Sequence, residues 1–195
     1  PTRSNAWMRA AWAERYGRAT DVVRVIDRER PTPTADQVLV KVHVASINRA
    51  DLDGLGPKPG FLRLFMGWRG PRQKSMGIDL AGTVEAVGPL VKRFKVGDRV
   101  FGDLFAGGQG AFAEYAAPPE KALAAFPDGV SFEDAATLGH SAILAIQGWR
   151  LRNGRTIKPG DRVLVDGASG NVGPFAIQIA KAMGAEVTGV ASESK

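Results

Sequence analysis

The sequence predicts a mixed α/β chain in two parts: short strands joined by glycine turns, then a strand–helix–strand unit. Three observations carry this reading. Val38, Val40, Val42 and Val44 alternate with Leu39, Lys41, His43 and Ala45, the period-two pattern of a half-buried strand. Short β-rich runs return at 82–88 and 99–102, separated by glycine-containing turns, and a series of such strands suggests a small barrel. Finally, the apolar run from Arg162 leads into Gly167, Gly170 and Gly173, spaced G-x-x-G-x-x-G, with an amphipathic helix and a second strand behind them.

Composition narrows the class. The chain has 195 residues, 44% of them hydrophobic, enough to bury a core. It contains no run of about 18 apolar residues, so no membrane span is expected. Residues 1–13 lack the apolar core of a signal peptide. There is no cysteine, which excludes disulfides and thiolate metal sites and favours a cytoplasmic setting. The net charge of +6 is not gathered into a block, and aromatics do not interleave with basic residues as a binding stripe. Nucleic acid is therefore not an expected partner.

Taken in order, Pro31-Thr32-Pro33 and Ala35-Asp36 form a turn before the valine strand. Residues 52–76, rich in glycine and mixed aromatics, read as a long irregular loop, a kind of segment that is often functional. Phe94 to Asp98 and Gly107 to Gly110 are further turns. Ser131, followed by Glu133 and Asp134, caps an alanine-rich helix running to about Arg150, with a break expected near Gly139. Asn153-Gly154 and Pro159-Gly160 bracket a linker. In the last helix Val172, Phe175, Ala176, Ile179, Ala180 and Met183 fall on one face. Pro174 fits its first turn, where a missing N–H costs nothing, and Gly184 ends it. The second strand is Glu186 to Ala191.

A strand, a glycine turn and a helix in that order aim backbone N–H groups and a helix N-terminus at a phosphate. Side chains at the glycines would block a pyrophosphate and resist the turn's backbone angles. Ser169, Gly170, Asn171, Val172 and Gly173 are thus candidate contacts to a dinucleotide. The end of the second strand selects the dinucleotide. Ser192 offers a hydroxyl and Lys195 a positive charge, which suit the 2′-phosphate of NADPH, while Glu193 argues the other way. One βαβ unit is short of the roughly six strands of a dinucleotide domain, so the chain reads as a fragment of a longer protein.

The chain resembles the medium-chain dehydrogenase/reductases, within them the zinc-independent quinone-oxidoreductase-like branch. The resemblance rests on Ser46 to Asp51, Gly77 to Val84, Phe94 to Gly102, Gly110 to Tyr115 and Asp166 to Gly173, in that order and spacing. It implies a GroES-like β-barrel catalytic domain at 1–130, connecting helices and linker at 131–160, and the truncated start of a Rossmann NADP-binding domain at 161–195. Zinc-dependent members carry Cys where this chain has Asn48, His where it has Ile78, and usually Cys near His140. The resemblance therefore implies no metal. It implies hydride transfer from NADPH to a quinone or an α,β-unsaturated carbonyl, with Asn48 beside the nicotinamide. A non-catalytic NADPH-binding or structural protein on the same scaffold is the alternative. Family members often dimerise through the far edge of the Rossmann sheet, which implies a homodimer for the longer protein. Asp51 and Asp79 read as structural, tying down their own turns. His140 reads as either a pocket residue or a satisfied core histidine, and His43 as a strand residue without a role. Two departures from the family stand out. Ala142-Ile143-Leu144 replaces a usual Gly-Leu-Thr, and Asn171 replaces the second glycine of Ser-Gly-Gly-Val. Asn tolerates left-handed backbone angles, so the turn is expected to survive.

Overall fold

A computed structural model describes residues 6–57, 59–150 and 156–193. The chain forms two compact units, Pro1–Gly139 and His140–Lys195.

The first unit opens with an antiparallel pair, β1 (Trp7–Ala13) and β2 (Val23–Glu29), separated by a single helical turn, α1 (Ala19–Val22). The valine strand, β3 (Val38–Ser46), then enters a five-stranded sheet with β4 (Asp79–Val87), β5 (Arg99–Asp103), β6 (Tyr115–Ala116) and β7 (Leu123–Ala125). The strand order is β6-β3-β4-β5-β7, all antiparallel. Bridges at Ala10–Ala113 and Trp12–Ser75 tie the β1–β2 pair to this unit. Val38, Val40, Leu80, Val84, Val100 and Leu104 form its main core, each essentially sealed from solvent. The alternation in β3 is not strict, because Leu39 is buried as well. Irregularities between Leu39 and Val40 and between Val42 and Val44 shift the pairing with β4, as β-bulges do.

The segment after β3 is less irregular than its composition suggests. It holds α2 (Arg49–Gly54), a 3₁₀ turn (Gly60–Leu62) and a single turn, α3 (Arg63–Met66). The Tyr16 hydroxyl donates to the Gly67 carbonyl at 2.8 Å and anchors it to the start of the chain.

Helix α4 (Phe132–Trp149) begins where expected. The Ser131 Oγ accepts the Asp134 N–H at 3.0 Å and donates to the Asp134 carboxylate at 2.8 Å. Ala135 and Ala136 are fully buried against Ala81 and Phe126. His43 has a packing role: its ring lies 4.5 Å from that of Phe132 and its Nε2 is 3.0 Å from Thr83 Oγ1. The break expected at Gly139 does not occur, and α4 runs straight through it. Gly139 is there for closeness. A Cβ on it would lie 2.7 Å from Asp79 Cγ and 3.0 Å from the Gly102 carbonyl oxygen. A helix-breaking propensity of about 1 kcal/mol yields readily to such packing.

The second unit contains β8 (Arg162–Asp166), α5 (Gly173–Ala182) and β9 (Glu186–Val190). The two strands run parallel, Arg162 opposite Glu186 and Asp166 opposite Val190. The predicted face of α5 is the one that packs: Ala176 and Ala180 are buried, with Val172, Phe175 and Ile179 beside Val165 and Val187. Gly184 ends the helix at φ 85°. Asn153-Gly154 lies outside the described residues. Among the described residues no helix is long and apolar enough to cross a membrane.

Two surface carboxylates stitch turns of the first unit. Glu120 Oε2 accepts the N–H groups of Arg93 at 2.9 Å and Lys92 at 3.1 Å. The bond from Arg93 is the main reason the Glu120 carboxyl sits below its ordinary 4.5. The Lys95 N–H does the same for Asp98. A carboxyl held low in the folded state contributes stability above its unfolded pKa, and loses it as pH falls through the folded value. Glu120→Gln is therefore expected to lower the melting temperature at pH 7. The difference from the parent should narrow as pH falls from 7 through the lowered folded-state pKa of Glu120, and close once that carboxyl is protonated. Thermal unfolding followed by circular dichroism across that range tests this, and a pH-independent difference would refute it.

Candidate functional site

The first unit gathers its polar residues through strand register. The β3–β4 pairing sets Ser46 opposite Asp79, and the β4–β5 pairing sets Asp79 opposite Asp103. Two residues past Ser46 the chain turns into α2, with Asn48 at its N-cap. The Asp51 carboxylate reaches back to accept the Asn48 N–H at 2.8 Å, one half of a capping box. This folds the start of α2 tightly against the strand end. Asn48, Asp51 and Asp79 are consequently all buried, Asp79 to 1% exposure.

Within this cluster Asn48 Nδ2 donates to Asp79 Oδ2 at 2.8 Å, and Ser46 Oγ donates to the same oxygen at 3.4 Å. A buried carboxylate demands such donors, and a charge-assisted bond is stronger than a neutral one. Asp51 does tie down its own loop. Asp79 does something different from fixing a turn, since it binds the Asn48 amide. Sequence reasoning did not pair the two, because they are 31 positions apart and no local pattern links them. Ile78, next to Asp79, is completely buried and has no donor atom. Among the described residues no three His, Cys, Asp or Glu side chains converge. His140 is half-buried on α4.

The 52–76 segment helps to line a recess of about 170 Å³ in the first unit, together with Ala13, Asp51 and Gln109. Leu55, Met66, Arg72 and Met76 are among the residues it contributes. Gln109, between Gly108 and Gly110, is left-handed at φ 57°, a sparsely populated conformation for a side-chain-bearing residue. Nothing but its flanking glycines signalled this in the sequence.

The second unit builds the glycine turn. Gly167 leaves β8 at φ 77° and reverses the chain. The Ala168 N–H bonds to the Val190 carbonyl at 2.8 Å, which fastens the turn to the end of β9. The Gly170 N–H bonds back to the Gly167 carbonyl at 2.9 Å. Gly173, the first residue of α5, lies so close beneath the turn that a Cβ would stand 2.6 Å from the Ala168 carbonyl oxygen. Gly170 has slightly more room, its nearest neighbour being the Gly167 oxygen at 3.2 Å from a Cβ. Pro174 occupies the first turn of α5. Asn171 is not left-handed: Ala35 and Gln109 are the only non-glycine residues with positive φ among the described residues. Gly167 supplies the reversal instead, so Asn171 needs no special conformation. Ser169, Gly170 and Asn171 are exposed and Val172 is half-buried. Ser192, just beyond β9, is exposed too, whereas Lys195 lies outside the described residues.

An antiparallel β unit followed along the chain by a strand, a glycine turn, a helix and a parallel strand defines a class of proteins. Residues 34–128 match the alcohol dehydrogenase GroES-like domain. The chain is 37% identical over 164 residues to the quinone oxidoreductase of Sus scrofa, covering 83% of this chain and 46% of that protein. Its structure is similar to that of the CurK enoyl reductase, with a TM-score of 0.81 and 30% identity, covering 96% of this chain and 55% of that one. It is similar also to a mycobacterial protein solved in complex with NADPH, with a TM-score of 0.75 and 30% identity, over 96% and 53% of the two chains. The chain belongs to the medium-chain dehydrogenase/reductase superfamily, and its relatives there are of the quinone oxidoreductase type. It spans about half the length of the curated relatives it matches.

Proposed function

We propose that this chain is part of an oxidoreductase that uses NADPH to reduce a quinone or an α,β-unsaturated carbonyl compound. The observation that carries the reading is the glycine cradle at the N-terminus of α5. Gly173 sits where any side chain would collide with the turn, and Gly167 takes a left-handed angle. Such a turn lets a pyrophosphate approach the backbone, and the N–H groups of a first helical turn lack intrahelical partners. The residues thus fit a dinucleotide. Ser169, Gly170, Asn171, Val172 and Gly173 would hold its pyrophosphate. Ser192 and Lys195 are assigned to the 2′-phosphate, in favour of NADPH over NADH. Bound there, the cofactor would supply the hydride; the protein's part is to orient and shield.

Asn48 is assigned to the reacting end, where its amide would bond the nicotinamide or a substrate oxygen. Zinc has no part in this reading, because Asn48 and the wholly buried Ile78 stand where zinc-dependent members carry Cys and His. In domain terms, 1–130 is the catalytic domain, 131–160 the connection and 161–195 the start of the cofactor domain. The names of the relatives, a quinone oxidoreductase and an enoyl reductase, support the substrate class.

Fluorescence titration with NADPH and NADH tests the reading, on this chain and on the chain extended to the length of its relatives. Tighter binding of NADPH, with turnover of a quinone or enone by the extended protein, is the expected result. Binding without turnover would leave a cofactor-binding protein that is not a reductase. No binding by either form would sink the reading altogether.

A further inference from the structure

We infer that the segment 61–72 docks the protein onto an anionic lipid surface. Phe61, Leu64, Phe65, Met66 and Trp68 all face solvent within a short run of chain, with Phe65 70% and Trp68 73% exposed. Apolar residues scattered singly over a surface are ordinary, whereas a cluster of them marks a place where something binds. This cluster belongs to the glycine-rich, aromatic stretch after β3, and neither the glycine cradle nor the role assigned to Asn48 uses it.

The backbone holds these side chains out. The Gly67 N–H bonds to the Arg63 carbonyl at 2.9 Å and the Arg72 N–H to the Met66 carbonyl at 2.8 Å, which folds 63–72 into a compact knob. Its tip is Trp68-Arg69, set between two glycines that have no room for a side chain. Gly67 has φ 122°, and a Cβ on it would stand 3.1 Å from the Arg72 nitrogen. A Cβ on Gly70 would stand 3.3 Å from the Glu14 carbonyl carbon. The Tyr16 hydroxyl donates to the Gly67 carbonyl at 2.8 Å, and the Arg63 guanidinium lies over the Tyr16 ring, 4.9 Å from its centre. The knob is thus fastened through its backbone to residues 14–16, with its apolar side chains left in water.

Charge decides what covers the knob. Residues 54–78 contain Lys58, Arg63, Arg69, Arg72 and Lys74 and no Asp or Glu. Among the described residues Arg63, Arg69 and Arg72 have no carboxylate partner, whereas Arg9, Arg30, Arg49, Lys95 and Arg99 each have one. An anionic bilayer surface satisfies both halves of the knob. Its headgroups attract the arginines, while Phe and Trp enter the boundary between headgroups and acyl chains, where Trp is favoured. A protein partner would need an apolar pocket with an acidic rim, cut to this shape. A bilayer takes a projecting tip of one charge sign without matched shape. The contact is with the surface: among the described residues no helix is long and apolar enough to cross a membrane.

Vesicle co-sedimentation tests this on the protein extended to the length of its relatives. Vesicles of phosphatidylcholine alone are compared with vesicles that also contain phosphatidylserine. Binding is expected to be at least about tenfold tighter when phosphatidylserine is present. Arg69→Gln together with Arg72→Gln should weaken it about 30-fold, at roughly fivefold for each charge. Trp68→Ser leaves every charge in place and should weaken it about tenfold. All three side chains are exposed, so the variants are expected to fold, which circular dichroism checks. Brominated lipid should quench the parent's fluorescence more than that of Trp68→Phe. No binding to either vesicle, or equal binding to both, would overturn the inference. So would undiminished binding by Trp68→Ser, which would mean that net charge alone attracts the protein. If the Trp68 emission, read as the difference between parent and Trp68→Phe, is already shielded from acrylamide without lipid, the knob is covered by protein and the inference fails. None of these readouts involves NADPH, so the reductase reading stands or falls separately.

Discussion

Gly173→Val is expected to abolish NADPH binding while leaving the first unit folded. The valine Cβ would stand 2.6 Å from the Ala168 carbonyl oxygen and 2.7 Å from the Ala168 carbonyl carbon. Both are backbone atoms, and they cannot swing aside as a side-chain tip can. The turn must open or α5 must withdraw, and either removes the N–H groups from the phosphate position. A loss of at least about 100-fold in affinity, or roughly 2.7 kcal/mol, is expected. Gly170→Ala is the graded control, because its Cβ would meet one atom, the Gly167 oxygen, at 3.2 Å. A shift of a few tenths of an ångström accommodates it, so the loss should be about tenfold or less. Titration of both variants by cofactor fluorescence reads the difference. Parent-like affinity in Gly173→Val would remove the cradle as the cofactor site.

Leu80→Ala is expected to destabilise the first unit by about 2–5 kcal/mol, as large-to-small changes at sealed core sites do. Leu80 has no exposed surface and lies in the main core with Val38, Val40, Val84, Val100 and Leu104. It sits one residue from Asp79 on β4, the central strand of the sheet. With β3 on one side and β5 on the other, the backbone there has little freedom to collapse into the vacated space. A fall in melting temperature of roughly 10 °C should accompany the change. Differential scanning calorimetry measures it, and a fall of under about 2 °C would mean that the core relaxes around the cavity.

Much of this fold was legible along the chain. The valine alternation of β3, the Ser131 cap of α4, the apolar face of α5 and the stop at Gly184 all depend on residues within a turn or two of one another. The glycine turn was legible for the same reason: Gly167, Gly170 and Gly173 lie within seven positions and between a strand and a helix. The errors share a different origin. Gly139 reads as a helix breaker until Asp79 is seen beneath it. Asn171 reads as a residue whose tolerance of left-handed angles lets the turn survive until Gly167 is seen to take the unusual angle itself. Residues 52–76 read as irregular because one or two helical turns leave no periodic signal.

The sequence by itself determined that this protein is a two-part α/β chain of the medium-chain dehydrogenase/reductase type, with a glycine turn between the strand and the helix of its second part. Those properties follow from short-range backbone preferences and from motifs contiguous in the chain. Only the tertiary structure decided that Asn48 turns its nitrogen to Asp79, that Ser46 joins them, and that Gly139 makes room for the Asp79 carboxylate. Strand register and helix packing bring those residues together across long stretches of intervening chain. A donor 31 positions from its acceptor has no preference that either residue carries alone.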